Sequence, residues 1–150
     1  MKPNWILVAN ASHARVLARE HPGGALDTVA TFEHPESREL GRDLATDRAG
    51  HGSLDSGSSG NAFPPRLNPR VKEHEQFAKQ LAGYLNDGVA AGHCAGIAVF
   101  ASNPFLGLVE AHLDATSRKV QFKSAPVDLT SFSGRDFAER IEAQLAFTPA

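Results

Sequence analysis

The chain has 150 residues, a formal net charge of −2 and a single cysteine, with 41% hydrophobic and 21% charged residues. This length and balance predict one globular domain over residues 1–150, and the near-neutral charge excludes nucleic-acid binding through an overall basic excess. The lone Cys94 excludes a disulfide framework or a cysteine-based zinc cluster, and the absence of a long apolar run excludes a membrane span. We therefore expect a cytoplasmic protein with no membrane contact, no cofactor and no metal.

Three strands are predicted at the start of the chain. The apolar run Trp5–Ala9 is typical of a strand buried on both faces. Residues 14–20 and 25–34 form the next two strands, separated by the turn sequence His-Pro-Gly-Gly at 21–24. Short connections of this kind predict an antiparallel meander.

Residues 35–68 contain no periodic segment. Loops longer than about 15 residues are uncommon in compact domains and are usually functional or disordered. This one contains the glycine- and serine-rich sequence GHGSLDSGSSGNAFPPR at residues 50–66. The segment is therefore the first candidate for a functional region.

Helices and strands alternate after the loop. Asn68 and Pro69 are typical of a helix N-terminus, and Gly88 or Gly92 can end that helix. Its inward face is predicted to hold Val71, His74, Phe77, Ala78, Leu81 and Leu85. The later elements are a strand at 95–101, a helix capped by Ser102, a strand at 119–123, and a final helix that begins with a capping box at Ser133.

The predicted order of elements is β-β-β-α-β-α-β-α. Strands connected through helices are parallel, with right-handed crossovers, whereas the meander is antiparallel. The sequence therefore predicts an α/β fold with a mixed five-stranded sheet flanked by helices, which is the arrangement of ribonuclease H-like domains.

Catalytic chemistry is weakly indicated. Two-metal nucleases of this fold need several carboxylates, but here the first strand ends at Asn10 and the fourth at Ala101 and Ser102. If the protein is a hydrolase of peptidyl-tRNA or another ester, the candidate groups are His51, Asp55, Ser56 and His74. His74 is otherwise a hydrogen-bonded histidine of the core or its boundary, or a residue that anchors the loop or contacts its ligand.

The loop has the composition of an anion-binding surface. Glycine and serine leave backbone amides exposed, arginine pairs with phosphate through two hydrogen bonds, and Phe63 can stack on a base. Acidic residues within the loop dilute this charge, so a solvated linker is the alternative interpretation. The predicted binding residues are Arg48, Gly57, Ser58, Ser59, Gly60, Asn61, Phe63, Arg66 and Arg70.

Short motifs along nearly the whole chain resemble the bacterial host attachment protein family, the proteins required for attachment to host cells. The opening WILVANASHAR at residues 5–15 carries most of the resemblance. The remaining pieces are Glu33-His34-Pro35-Glu36, Asp47-Arg48-Ala49-Gly50, Asp55-Ser56-Gly57, Glu73-His74-Glu75-x-Phe77-Ala78, Pro104-x-Leu106-Gly107-Leu108 and Asp128-Leu129-Thr130.

The resemblance implies a relationship to the middle domain of archaeal and eukaryotic peptide-chain release factors, which has a ribonuclease H-like fold. In those factors a glycine-rich loop carries Gly-Gly-Gln into the ribosomal peptidyl-transferase centre. This chain has Ser58-Ser59-Gly60-Asn61 at the corresponding place. The resemblance therefore implies a non-catalytic, translation-factor-like domain that contacts the ribosome or tRNA. An adhesion-related scaffold is a further alternative.

Overall fold

The computed structural model describes residues 2–34 and 69–147. Within these ranges the strands and helices follow the predicted order, except that one predicted helix is divided in two. The elements are β1 (Asn4–Ala9), β2 (His13–Arg19), β3 (Asp27–Glu33), α1 (Pro69–Ala90), β4 (Gly96–Ala101), α2 (Phe105–Ala111), α3 (Ala115–Lys119), β5 (Gln121–Ala125) and α4 (Gly134–Ala146).

The described strands form one mixed sheet in the order β3-β2-β1-β4-β5. The pairs β1–β2 and β2–β3 are antiparallel, whereas β1–β4 and β4–β5 are parallel. The parallel pairs are those connected through helices, because a helical crossover returns the chain to the same end of the sheet. The predicted five-stranded α/β fold of ribonuclease H-like type is confirmed.

Two apolar clusters lie on opposite faces of this sheet. Leu7 of β1 packs in one cluster with Phe77 of α1, and Ile6 packs in the other with Phe137 of α4. Alternate residues of a strand point to opposite faces, so a strand between two helical layers must be apolar throughout. This explains the unbroken apolar run of β1. Cys94 is buried in the first cluster, as expected.

The end of α1 depends on two glycines with different roles. Gly92 follows the helix with a φ of +78°, the left-handed conformation that favours glycine after a helix. Gly88 lies inside the helix, where an added Cβ would be 2.2 Å from a ring carbon of Trp5. Gly92 therefore ends the helix, while Gly88 gives the buried Trp5 ring room against it.

The predicted helix after Ser102 and the strand at 119–123 are wrong in detail. Pro104 occupies the N-cap position of α2 without a side-chain cap, and a second helix, α3, follows. The Asp114 side chain caps α3 by accepting a 2.8 Å hydrogen bond from the Ser117 amide. Since α3 includes Lys119, β5 begins two residues later, at Gln121.

Two further local predictions are wrong, the capping box at Ser133 and the burial of Val71. Ser133 occupies the N-cap position of α4 but makes no side-chain capping hydrogen bond, and the carboxylate of the box residue Asp136 accepts a hydrogen bond from Arg140. Val71, predicted on the inward face of α1, is 48% exposed near the start of that helix. The buried face of α1 begins at Phe77.

No helix in either described range is long and apolar enough to cross a bilayer.

Candidate functional site

Several strands end at the same edge of the sheet, and polar residues follow them there. β1, β4 and β5 are parallel and end together, with Ala9 opposite Ala101 and Phe100 opposite Ala125. β3 ends at the same edge, because His13 at the start of β2 is paired with Glu33. We call this the carboxyl edge: residues 10–13, 33–34, 102–104 and 126–132, together with the first turns of α1. Ligands of open α/β sheets bind outside the carboxyl ends of the strands.

Asn10 connects the two halves of the carboxyl edge. Its side-chain oxygen accepts hydrogen bonds from the amides of Ser12 (2.8 Å) and His13 (2.9 Å), which forms the turn between β1 and β2. Its amide nitrogen donates to Asp128 Oδ2 (3.1 Å) and to Thr130 Oγ1 (3.0 Å). A single side chain thus holds the β1–β2 turn against the segment that follows β5.

Asp128 is held in its charged form by this network. Its Oδ1 accepts from the Thr130 amide (2.9 Å) and from the Thr130 hydroxyl (2.6 Å). Partial burial acts to raise the pKa of Asp128, but the hydrogen bonds from Thr130 and Asn10 and the nearby His13 outweigh it, and the pKa is lowered. A carboxylate bound by three donors is a poor proton acceptor. These hydrogen bonds join Asp128 to the β1–β2 turn and to Thr130.

A second contact joins the two sides of the 35–68 segment. His34 Nε2 lies 2.7 Å from Glu73 Oε1 in α1, and both side chains are largely buried, at 15% and 22% exposed. The His34 ring also stacks on Phe77, with 5.0 Å between ring centroids. His34 is the last described residue before residues 35–68 and Glu73 lies shortly after them, so the described residues on the two sides of the segment meet at one place.

A pocket of about 680 Å³ opens on the sheet surface beside this edge. Its floor is formed by β2 and β3, and its wall by the segment after β5. The polar side chains that line it are His13, Arg15, Thr31, Glu33, Thr130 and Ser131. We call it the Arg15 pocket.

Most predicted site residues lie outside the described ranges. These are Arg48, His51, Asp55, Ser56, Gly57, Ser58, Ser59, Gly60, Asn61, Phe63 and Arg66. Arg70 is in the first turn of α1, and its side chain is also outside the description. His74 is half-buried on α1, one residue after Glu73 at the carboxyl edge. The roles assigned to all of these residues remain predictions.

The sequence did not predict that Asn10 would meet Asp128 and Thr130, or that His34 would meet Glu73. The partners of Asn10 are 118 and 120 residues away in the sequence, and His34 and Glu73 are 39 residues apart. A signal was present, however, in the motif pieces that carry the family resemblance. The pieces containing Asn10, Glu33-His34, Glu73 and Asp128-Leu129-Thr130 all converge on the carboxyl edge. In residues 2–34 and 69–147, no group of three His, Cys, Asp or Glu side chains is arranged to hold a metal.

The strand order, the flanking helices and the polar carboxyl edge together define an α/β domain of the ribonuclease H-like class. The chain belongs to the family described as "Protein required for attachment to host cells", whose model matches residues 5–141. The family resemblance inferred from the motifs is confirmed. None of the curated protein sequences matches the chain.

Among solved structures, the chain is similar to an archaeal translation termination factor, aRF1, at 12% identity and a TM-score of 0.49. The match covers 95% of this chain and 36% of that one. It is also similar to an Aquifex aeolicus Ppx/GppA phosphatase, at 12% identity and a TM-score of 0.34, covering 83% of this chain and 35% of that one. The chain spans about a third of the length of either protein.

Proposed function

We propose that the protein is a non-catalytic binding domain that contacts ribosomal or transfer RNA through residues 35–68. In this proposal Arg48, Arg66 and Arg70 meet phosphates, and Phe63 stacks on a base. The glycines and serines between them bring backbone amides close to the RNA surface. The carboxyl edge supplies the fixed position from which the segment acts.

The observation that carries the proposal is the 2.7 Å contact between His34 and Glu73. It joins the residues on either side of the segment, and the stacking of His34 on the fully buried Phe77 connects that contact to the core. A hydrogen-bonded, largely buried pair retains its geometry better than an exposed one, which solvent screens. The segment therefore starts and ends on a rigid support, which lowers the entropy lost when it binds a partner.

The described polar groups of the carboxyl edge support a binding role for that edge, while the candidate catalytic residues His51, Asp55 and Ser56 lie outside the described ranges. Asn10, Asp128 and Thr130 are hydrogen-bonded to one another, which fits a role in holding the edge together. Cys94 is buried, and burial raises the pKa of its thiol despite the nearby charge of Lys2. A thiol in that environment is inert, because the thiolate is the nucleophile.

The test is co-sedimentation of the protein with ribosomes at about 50 mM and about 500 mM salt, because binding to phosphates weakens steeply as salt rises. The triple variant Arg48→Gln/Arg66→Gln/Arg70→Gln should bind more weakly, with a salt slope smaller by about 0.7–0.9 for each phosphate that is no longer neutralised. The control Lys79→Gln/Lys119→Gln/Arg135→Gln removes the same charge from exposed positions elsewhere and should bind like the wild type.

A second pair of variants tests whether the contact between His34 and Glu73 contributes to ribosome binding. Glu73→Ala removes the partner of His34, whereas Glu75→Ala removes an exposed carboxylate from the same helix. Only the first should weaken ribosome binding. Absence of the wild-type protein from the ribosomal fraction at both salt concentrations contradicts the proposal, as does equal binding by the two triple variants.

Two further outcomes would contradict the RNA-binding proposal and favour an alternative. The first concerns location: the family is described by attachment to host cells, and in this proposal an RNA-binding protein affects attachment from inside the cell. Labelling of the protein by a membrane-impermeant reagent on intact cells would favour the adhesion scaffold instead. Hydrolysis of peptidyl-tRNA that is abolished in Ser56→Ala would favour the hydrolase.

A further inference from the structure

Arg15 is an unusual cation within the described part of the chain. Its Nη2 donates a 3.0 Å hydrogen bond to the backbone oxygen of Phe132, and its guanidinium carbon lies 4.1 Å from the centroid of the Phe137 ring. These two interactions hold the guanidinium in one place. No carboxylate of the described residues lies within 4.0 Å of it, so its charge is not neutralised by an ion pair there.

Arg19, on the same strand, provides the comparison. Residues 15 and 19 lie on the same face of β2, because side chains alternate along a strand. Arg19 donates a 3.0 Å hydrogen bond to Glu142 of α4, the arrangement expected for a buried arginine. Arg15 is also partly buried, and burial lowers its pKa, but an aromatic ring and a carbonyl take the place of the carboxylate.

Arg15 lines a pocket of about 680 Å³, within the size range of small-molecule sites. Thr31 is paired with Arg15 across the sheet, and Ser131 lines the same pocket next to Phe132, whose backbone oxygen accepts from Arg15. Neither hydroxyl makes a hydrogen bond within the two described ranges. A fixed guanidinium beside two hydroxyls is the donor set that recognises an oxyanion, because arginine binds both oxygens of a carboxylate or phosphate.

We propose that the Arg15 pocket binds a small molecule through a carboxylate or phosphate group that pairs with Arg15 and accepts hydrogen bonds from Thr31 and Ser131. The residues named for this site differ from those assigned to RNA binding above. Glu33 lines the same pocket, 3.7 Å from the His13 imidazole, and its negative charge disfavours a polyanion. The pocket therefore suits a compact ligand with one anionic group rather than a nucleic acid.

Ligand titrations followed by two-dimensional NMR of the full-length protein test this inference. The probes are benzoate, phenyl phosphate and, as an uncharged analogue, benzyl alcohol, each at constant ionic strength so that general screening is equal. Saturable shifts of the Thr31, Arg15 and Ser131 amides with benzoate or phenyl phosphate, but not with benzyl alcohol, support it. The stronger of the two anions identifies the chemical class.

The deciding variants are Arg15→Gln and Arg140→Gln. Arg140 resembles Arg15 in that its guanidinium carbon lies over an aromatic ring, 3.9 Å from the centroid of Phe132. Unlike Arg15, it is paired with a carboxylate, that of Asp136, and it does not line the pocket. Removal of the Arg15 guanidinium should weaken anion binding about tenfold or more, because a charge-assisted hydrogen bond is then missing. Removal of the Arg140 guanidinium should leave affinity unchanged. Arg15→Lys retains the charge and should bind with intermediate affinity.

No saturable response to either anion would overturn the proposal, and so would equal affinities of the wild type and Arg15→Gln. The Arg15→Gln spectrum without ligand must retain the dispersion of the wild type. If it does not, Arg15→Lys serves as the test, and wild-type affinity in that variant would argue against paired recognition by a guanidinium. Because the assay contains no ribosomes or RNA, its failure is distinguishable from failure of the proposed function.

Discussion

The hydrogen bonds of Asn10 permit a sharp test of how the carboxyl edge is held together. Asn10→Asp retains the side-chain size and the oxygen that accepts from the Ser12 and His13 amides. It replaces the nitrogen that donates to Asp128 and Thr130 with a second oxygen. The variant therefore exchanges two favourable hydrogen bonds for a pair of facing carboxylates without changing the shape of the site.

The magnitude follows from the 3.1 Å separation of Asn10 Nδ2 and Asp128 Oδ2. Two unit charges at that distance repel by about 1 kcal/mol in bulk water and by about 5 kcal/mol at an effective dielectric constant of about 20. One of the two carboxyl groups can escape the repulsion by taking up a proton, which at pH 7 costs about 4 kcal/mol for a group of ordinary pKa. The repulsion between the carboxylates therefore cannot destabilise the variant by more than this amount. Since the site is partly exposed, we expect stability to fall by about 2–4 kcal/mol at neutral pH.

The pH dependence has a definite sign. In the wild type the pKa of Asp128 is lowered, so its contribution to stability is present above the ordinary value of 3.8 and is lost as the pH falls through the lower, folded value. In Asn10→Asp the facing carboxylates raise one pKa, so the folded state binds a proton that the unfolded state has released. The stability of the variant relative to the wild type should therefore fall as the pH rises from about 4 to about 7.

Urea unfolding followed by the fluorescence of Trp5, the only tryptophan and a buried one, measures this difference. Asn10→Ala removes the same donors without adding charge, so its penalty should not change between about pH 5 and about pH 8. The exchange Asn10→Asp/Asp128→Asn restores a donor opposite an acceptor and should recover part of the stability. An Asn10→Asp penalty that is the same at both ends of the pH range would refute the reasoning.

Two further predictions concern the scaffold. Gly88→Ala places a methyl group 2.2 Å from a Trp5 ring carbon and should lower stability by about 1–3 kcal/mol, whereas Gly83→Ala, in the same helix with nothing within 4 Å, should raise it by about 0.5–1 kcal/mol; thermal unfolding that shifts both variants in the same direction would contradict this. Because burial raises the pKa of the Cys94 thiol, with Lys2 only partly opposing it, a thiol reagent at about pH 8 should modify the unfolded chain rapidly and the native protein hardly at all. Native modification at the unfolded rate would show that the thiol is accessible.

Much of the fold could be predicted because its signals are local. The apolar run of β1, the turn sequence at residues 21–24 and the helix start at Pro69 each depend on neighbours within a few residues. Their order, with the right-handed rule for parallel crossovers, was sufficient to predict a mixed sheet with an antiparallel meander and parallel later strands. The errors lie at the ends of elements, where Asp114 caps an additional helix, α3, and the capping box at Ser133 does not form.

The contacts within the candidate site, in contrast to the fold, could not be predicted from local signals. The sequence by itself determined the residue types at the ends of the strands, and the family motifs that contain them. Only the tertiary structure decided that Asn10 would meet Asp128, that His34 would meet Glu73, and that Arg19 would have a carboxylate partner whereas Arg15 would not. The physical reason is that hydrogen bonds and ion pairs act over a few ångströms, and only the folded sheet brings residues more than a hundred positions apart within that distance.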